Sequence, residues 1–296
     1  MTDYNNSYVL VNGLRFHYLH WDLSSGGVPV VLLHGLASNA RIWELVAPYL
    51  VQNGFDPIAV DLRGHGLSDK PEEGYDFDAF YRDLTGFIDQ LHLEHPILAG
   101  HSFGGMVAVD FAARSPFGSS APSGLILVDG GITQLDQLPG STWETISRRL
   151  APPRLAGTPL EDFLSYWRSP KLKWHPDDEQ ISIYLGNFEV DDQELIYPHL
   201  SFDHHMQILR AMWDWKGQSL FPRLRCPVLA APVRPTPPFD VEEIEFLELK
   251  EKGIRRAQET IQNLRVEWMN ESVHDIPLQK PLMLANVMVD FCKNLG

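Results

Sequence analysis

A serine within the motif GHSFG, residues 100–104, carries the strongest chemical signal in this sequence. The motif follows an apolar, strand-like run at 96–99 and precedes an amphipathic run at 106–111. A serine on such a tight strand-to-helix turn has its hydroxyl raised above the sheet edge, and the flanking glycines let neighbouring backbone pass closely. The helix that begins at Phe103 also directs unpaired N–H groups and the positive end of its dipole towards this point. The pattern predicts that Ser102 is a catalytic nucleophile.

Buried strands and amphipathic helices alternate around this motif. Continuous apolar runs, typical of parallel strands buried on both faces, occupy residues 28–33, 57–60, 96–99, 124–128 and 227–231. Between the first four runs lie amphipathic segments long enough to be crossover helices, at residues 40–51, 77–91 and 103–114. This alternation predicts an α/β fold built from βαβ units, preceded by a hairpin that turns at Asn12-Gly13.

The alternation stops after Asp129, and no matching strand appears before Pro227. A βα connection normally needs only a few residues and its helix, so the gap indicates an inserted subdomain. Helical patterns at 160–167, 178–188 and 204–215, and several tryptophans, fill it. We predict a helical subdomain at residues 131–221 and a core domain made of residues 1–130 and 222–296.

Composition excludes several classes of function. A formal net charge of −15 argues against nucleic-acid and anionic-membrane partners, which select basic surfaces. The two cysteines, Cys226 and Cys292, offer no disulfide framework, and the first residues show no signal-like segment, so we expect a cytoplasmic protein. A metal site at His199, His204 and His205 is not expected, because adjacent histidines on a helix point different ways. No cofactor is expected either. Oligomeric state stays open.

The chain resembles the α/β-hydrolase family in the order of its motifs, which are LHGL at 33–36, DLRGHGLSD at 61–69 and the serine motif. The resemblance implies the α/β-hydrolase fold: a mostly parallel eight-stranded sheet with helices on both faces and an inserted helical cap over the active site. It also implies that the backbone N–H of Leu36 joins that of Phe103 around a developing oxyanion. The segment 61–69 is interpreted as structural, without a catalytic role.

The serine needs a base, and the resemblance places it after the last strand, where His274 lies. The chain order of serine followed by histidine agrees with this. His101, beside the serine, is expected to pack beneath the turn instead.

The sequence offers more than one acid that could orient the histidine. Most relatives carry it just beyond the seventh strand, but residues 232–238 read PVRPTPP and contain no carboxylate. Asp129, which ends the sixth strand, occupies a position that some relatives use, and Gly130-Gly131 after it suit a close approach. Asp240 is the alternative acid, although its role as the N-cap of a following helix already explains it. Asp275 directly follows His274, so its side chain would have to turn back to reach the imidazole.

The leading interpretation is a serine hydrolase of carboxylic esters or lactones that acts through an acyl-enzyme. Tryptophans in the insert favour an apolar or aromatic small-molecule substrate. A carbon–carbon bond hydrolase of a dioxo acid is an alternative, which would favour a basic residue such as Arg234 or Arg210 near the site. A non-catalytic ligand receptor on the same fold and an acyltransferase that intercepts the acyl-enzyme also stay open.

Overall fold

A central eight-stranded sheet organises the computed structural model, which describes residues 4–22, 26–115 and 117–295. In chain order the strands are β1 (Asn5–Val11), β2 (Leu14–His20), β3 (Val28–Leu33), β4 (Phe55–Val60), β5 (Ile97–His101), β6 (Gly124–Val128), β7 (Thr158–Pro159), β8 (Phe188–Val190), β9 (Leu195–Pro198), β10 (Val228–Ala231), β11 (Val233–Arg234), β12 (Leu264–Val266) and β13 (Met269–Asn270). The first three residues, where no targeting segment is expected, lie outside the described ranges.

The central sheet has the order β1-β2-β4-β3-β5-β6-β10-β12. Strand β2 pairs antiparallel with β1 and with β4, and the remaining pairings are parallel. The predicted α/β fold with a mostly parallel eight-stranded sheet is therefore confirmed. Strands β11 and β13 form a separate parallel pair beyond the ends of β10 and β12.

Helices cover both faces of this sheet. In the described residues they are α1 (Ala47–Gln52), α2 (Phe77–Gln90), α3 (Phe103–Arg114), α4 (Trp143–Arg149), α5 (Leu160–Trp167), α6 (Asp178–Leu185), α7 (Phe202–Asp214), α8 (Val241–Thr260), α9 (Ile276–Gln279) and α10 (Pro281–Lys293). No helix in the described ranges is both long enough and apolar enough to cross a membrane.

Successive side chains of a strand point to opposite faces of the sheet, so each strand contributes to two separate core clusters. In β3, Val31 and Leu33 pack in a core cluster with residues of α2 and α3, whereas Val30 and Leu32 pack in a second cluster with residues of α1 and α10. Both sets are fully buried. This explains why the strands read as continuous apolar runs, since each side of the sheet is covered.

Two predicted elements are divided in the structure. The helix predicted over 40–51 is a 3-10 turn at Ala40–Trp43 followed by α1. Pro48 explains the break, because proline fits the first turn of a helix but would remove a hydrogen bond from the interior of a longer one. The last strand, predicted over 265–269, is likewise split into β12 and β13.

The segment between β6 and β10 contains α4 to α7 and a small antiparallel sheet of order β7-β9-β8. The small sheet was not predicted, because its strands are only two to four residues long. The helix predicted over 178–188 ends at Leu185, where Gly186 forms the C-cap, and Phe188 already belongs to β8.

Candidate active site

Ser102 occupies the sharp turn between β5 and α3. Its backbone has a φ of 53° and a ψ of −117°, a region that non-glycine residues rarely adopt and that stores strain. The turn fits only because its glycines have no side chains: a Cβ on Gly100 would lie 2.3 Å from the carbonyl oxygen of Gly104, and one on Gly104 would lie 2.5 Å from that of Leu33. The serine motif thus forms the strand-to-helix turn that its sequence predicts.

Asp129 and His274 meet at the same edge of the sheet, although 145 residues separate them. The His274 Nδ1 atom lies 2.6 Å from Oδ2 of Asp129. Asp129 directly follows β6, the neighbour of β5, and its side chain is fully buried, with Oδ1 accepting a 2.9 Å hydrogen bond from the Val233 N–H. About half of the His274 side chain, 52%, is accessible. The Nδ1–H of His274 donates to Asp129, so Nε2 is the ring nitrogen that can accept a proton.

Gly130 lets the backbone after Asp129 pass close to the serine turn. A Cβ on Gly130 would lie 2.0 Å from the Ser102 carbonyl oxygen, which is far inside van der Waals contact. Asp129 itself has a positive φ of 45°, a conformation that aspartate tolerates better than most residues. The sequence Asp-Gly therefore holds the carboxylate beside the turn.

We expect Gly130→Ala to lower the free energy of unfolding by about 3 kcal/mol or to prevent folding, because the added methyl group meets backbone that cannot rotate away. Urea unfolding followed by circular dichroism measures this loss. Gly140→Ala is the control: it has a positive φ of 66° but open space around it, so it is expected to cost only about 1 kcal/mol. Equal losses in the two variants would contradict the close approach.

A lysine that the sequence analysis missed contacts the same carboxylate. Lys250 of α8 places its Nζ atom 2.8 Å from Oδ1 and 2.9 Å from Oδ2 of Asp129, and 3.2 Å from the Val233 carbonyl oxygen. A signal was present in the sequence, since Lys250 lies on the side of α8 that also carries the buried Leu249, Gly253 and Ile254. A lysine on an apolar helix face needs a buried partner.

The charges in this cluster shift the ionisation of both triad candidates. Burial raises the pKa of Asp129, but the Lys250 cation and the hydrogen bond from His274 outweigh it, so the pKa is lowered well below its usual value. Desolvation lowers the pKa of His274, whereas the hydrogen bond and the charge of Asp129 raise it, and the result is a raised pKa. Asp129 is therefore a carboxylate at neutral pH, as a residue that stabilises an imidazolium must be.

His101 lies beneath the serine turn, as expected, and contacts the loop of His274. Its Nε2–H donates a 2.9 Å hydrogen bond to the backbone carbonyl of His274, and the two rings are 4.8 Å apart. Burial, together with the nearby His274, lowers the pKa of His101 to about 4. His101 is therefore neutral, and it supports the position of the His274 backbone.

The loop after β3 brings Leu36 to the wall of the cavity that Phe103 also lines. His34, fully buried, fixes this loop: its Nδ1–H donates to the Gly35 carbonyl at 2.8 Å, and its Nε2 accepts from the Leu62 N–H at 3.0 Å. Among the described residues, no hydrogen bond takes up the N–H of Leu36 or of Phe103. Two unpaired donors are the requirement for an oxyanion site.

The segment 61–69 supports this loop from below. The buried Asp61 carboxylate accepts hydrogen bonds from the Ala40 N–H at 2.6 Å and the Leu67 N–H at 2.8 Å, and it lies 2.7 Å from Nδ1 of His17. A Cβ on Gly66 would lie 2.1 Å from Oδ2 of Asp61, so this position needs glycine. None of these residues lines the active-site cavity, which agrees with a structural role.

Ser102, His274 and Asp129 line one cavity of about 520 Å³. Its other walls are mainly aliphatic and aromatic, and they come from the segment after β6, from the residue that follows α4, and from α7 and α8. They include Ile132, Leu135, Leu150, Leu209, Met212, Phe246 and Leu247. The polar groups on the wall include His205, Glu242, Glu243, Lys250 and Ser272. The cavity therefore fits a molecule that is mostly apolar.

The alternative acids lie elsewhere in the structure. Asp240 caps α8 by accepting a hydrogen bond from the Glu243 N–H, is 57% exposed in its side chain and pairs with Lys173 at 3.0 Å. The Asp275 carboxylate accepts a 2.6 Å hydrogen bond from the Tyr184 hydroxyl. Neither residue lines the cavity, so the structure brings Asp129, and not these two, to His274.

Comparison with known proteins agrees with the fold described above. A model of the alpha/beta hydrolase family matches residues 30–277. The AB hydrolase superfamily protein YisY of Bacillus subtilis is 46% identical over 88 residues, which are 30% of this chain and 33% of that protein. The 2-(acetamidomethylene)succinate hydrolase of Mesorhizobium japonicum is 44% identical over 94 residues, 31% of this chain and 33% of that protein. The matches thus span about a third of these relatives.

Solved structures extend the similarity over nearly the whole chain. The crystal structure of E-2-(acetamidomethylene)succinate hydrolase superposes with a TM-score of 0.75 at 20% identity, covering 98% of this chain and 100% of the other. A putative aryl esterase from Burkholderia cenocepacia superposes with a TM-score of 0.72 at 22% identity, covering 98% of this chain and 99% of the other. At such identities the similarity establishes the fold alone.

Proposed function

We propose that this chain, which belongs to the alpha/beta hydrolase family, is a serine hydrolase that cleaves a carboxylic ester or lactone of an apolar or aromatic substrate. The observation that carries the proposal is that Ser102, the His274–Asp129 pair and the residues with two unpaired N–H groups line one apolar cavity. No other titratable pair is needed for the reaction, since a serine, a base, an acid and an oxyanion site suffice.

The proposed reaction begins when Nε2 of His274 takes the proton of Ser102 as the Oγ atom attacks the substrate carbonyl carbon. Asp129 holds the Nδ1–H tautomer and stabilises the imidazolium that forms. The N–H groups of Leu36 and Phe103 donate to the negative oxygen of the tetrahedral intermediate, and each such donor is typically worth about 3 kcal/mol of barrier. His274 then protonates the leaving alcohol, and a water activated by His274 releases the acyl group.

We also propose that residues 131–221 act as a cap on a core formed by residues 1–130 and 222–296. Support comes from the cavity walls, to which Leu150, His205, Leu209 and Met212 of this segment contribute. Helix α6 of the same segment contacts the His274 loop through the hydrogen bond from Tyr184 to Asp275. The cap would then share substrate selection with α8 of the core, whereas the catalytic residues belong to the core alone.

The charges around the cavity favour a neutral substrate over an anionic one. Lys250 is the one lysine or arginine among the described residues that line the cavity, and Asp129 already pairs with it. Arg234 lies over the Trp268 ring and pairs with Glu251, and Arg210 pairs with Asp214. These contacts leave both arginines off the cavity wall, so a dioxo acid or a succinate derivative would meet no unpaired cation there.

A series of p-nitrophenyl esters tests this substrate class. We expect kcat/KM to rise by about tenfold or more from acetate to hexanoate, because each buried methylene group contributes about 0.8 kcal/mol. A monosuccinyl ester of similar size, which carries a carboxylate, should be hydrolysed more slowly than the hexanoate. Faster turnover of the charged ester would contradict the neutral-substrate proposal, and stoichiometric binding of all esters without product would favour a receptor.

A further inference from the structure

Lys250 pairs with the acid of the proposed triad, although the general serine-hydrolase mechanism does not require a lysine there. The Nζ atom lies within 2.9 Å of both oxygens of Asp129, and the Lys250 side chain is only 16% exposed. Asp129 is fully buried and therefore cannot be compensated by solvent. Its two oxygens accept from three groups: Lys250, the Val233 N–H and His274.

A buried carboxylate needs a compensating positive charge, because an isolated charge in a protein interior is strongly unfavourable. If His274 were the only group near Asp129 that could carry a positive charge, burial of the carboxylate would favour a protonated imidazole in the resting enzyme. A protonated imidazole cannot accept the proton of Ser102. A permanent cation beside Asp129 removes this conflict, since the carboxylate is balanced before the reaction starts.

We propose that Lys250 is a positioning residue of the triad: it serves as the resting counter-ion of Asp129 and thereby leaves His274 unprotonated and able to accept the Ser102 proton. This inference rests on the proposed serine-hydrolase function. The ammonium group also fixes the carboxylate in space, because it bridges both oxygens of Asp129 and the Val233 carbonyl. The position of His274 Nδ1 opposite Oδ2 follows from that restraint.

The other charged groups around His274 do not replace Lys250. Asp275, next in the chain, adds a negative charge that raises the pKa of His274, and it is hydrogen-bonded to Tyr184. The neutral ring of His101 lies on the β5 side. From α8, Glu242 and Glu243 line the same cavity and add negative charge, whereas Lys250 is the cation of that helix on the cavity wall. Lys250 thus opposes several groups that favour a protonated His274.

A direct substrate-binding role for Lys250 fits the geometry less well. Its ammonium group already makes contacts with Asp129 and Val233, and little of the side chain is accessible. A substrate carboxylate would have to compete with a fully buried carboxylate at 2.8 Å. We therefore expect the effect of Lys250 to appear in the pH dependence of turnover and not in selectivity for anionic esters.

The test compares the pH profile of kcat/KM for p-nitrophenyl butyrate in the wild type, Lys250→Met, Lys250→Arg and Lys252→Met. Methionine matches the apolar stem of lysine as far as Cε and removes the charged ammonium group. In Lys250→Met the acid limb is expected to move up by about one pH unit, since the loss of a nearby positive charge raises a pKa by about 1–3 units. Activity would then fall about tenfold near pH 6 and much less near pH 9.

Two variants serve as controls. Lys250→Arg keeps the charge and should retain most of the wild-type profile. Lys252 is exposed on the same helix, so Lys252→Met should superimpose on the wild type. A folded Lys250→Met enzyme with the wild-type acid limb, or a loss of equal size at every pH, would overturn the counter-ion role.

A measurement on the wild type keeps the test decisive if Lys250→Met does not fold. Nitrogen-15 spectra of the imidazoles, assigned with His274→Gln, should report a neutral His274 ring at about pH 8. A charged ring at that pH would overturn the inference. Failure of the proposed function itself is distinct, because the wild type would then neither hydrolyse the ester nor react with a fluorophosphonate at Ser102.

Discussion

Replacing Ser102 by alanine is expected to reduce ester turnover by about 10⁴- to 10⁶-fold while the protein stays folded. The loss is large because the hydroxyl oxygen is the proposed attacking atom. Alanine suits the turn as well as serine does, since the strained φ of 53° belongs to the backbone. The measurements are kcat/KM for p-nitrophenyl butyrate and the mass increase with a fluorophosphonate probe.

A matched control separates loss of the nucleophile from general effects. Ser182 is an exposed serine of α6 outside the cavity, so Ser182→Ala should keep both activity and labelling. Labelling that persists in Ser102→Ala, or a reduction of kcat/KM of less than about 100-fold, would reject Ser102 as the nucleophile. Absence of labelling in the folded wild type would reject the serine-hydrolase proposal.

The core fold and the serine turn were predictable because their signals are local. Buried parallel strands read as continuous apolar runs, and the glycines of the motif at 100–104 are required by contacts with atoms only a few residues or one strand away. Pro48 was also visible in the sequence, and weighing it against the helical pattern would have divided the helix over 40–51 correctly.

Contacts between distant parts of the chain were much harder to predict. The choice between Asp129 and Asp240 depends on a hydrogen bond across 145 residues, which no local pattern encodes. Lys250 is separated from Asp129 by 121 residues, and only its place on an apolar helix face hinted at a buried partner. The small sheet of the insert was missed for another reason: strands of two to four residues are too short to give a periodic signal.

Asp129→Asn is expected to lower kcat by about 10⁴-fold with little change in the cavity. An asparagine that turns its amide nitrogen to Nδ1 of His274 would favour the tautomer with the proton on Nε2, and that tautomer cannot accept the proton of Ser102. The variant also removes the charge that stabilises the imidazolium and leaves the Lys250 cation without its partner. Both effects act on the proton-transfer step, so the rate of fluorophosphonate labelling should fall with kcat.

Asp240→Asn distinguishes a specific loss at Asp129 from the loss of any carboxylate near α8. Asparagine is as good an N-cap as aspartate, so α8 should keep its start and its position against the cavity. Because Asp240 is exposed and pairs with Lys173 outside the cavity, we expect kcat to change by less than about twofold, in line with the small energy of an exposed ion pair. A larger loss in Asp240→Asn than in Asp129→Asn would instead assign the acid to the helix N-terminus. That outcome would require the proline-rich segment before α8 to move Asp240 towards His274 during turnover.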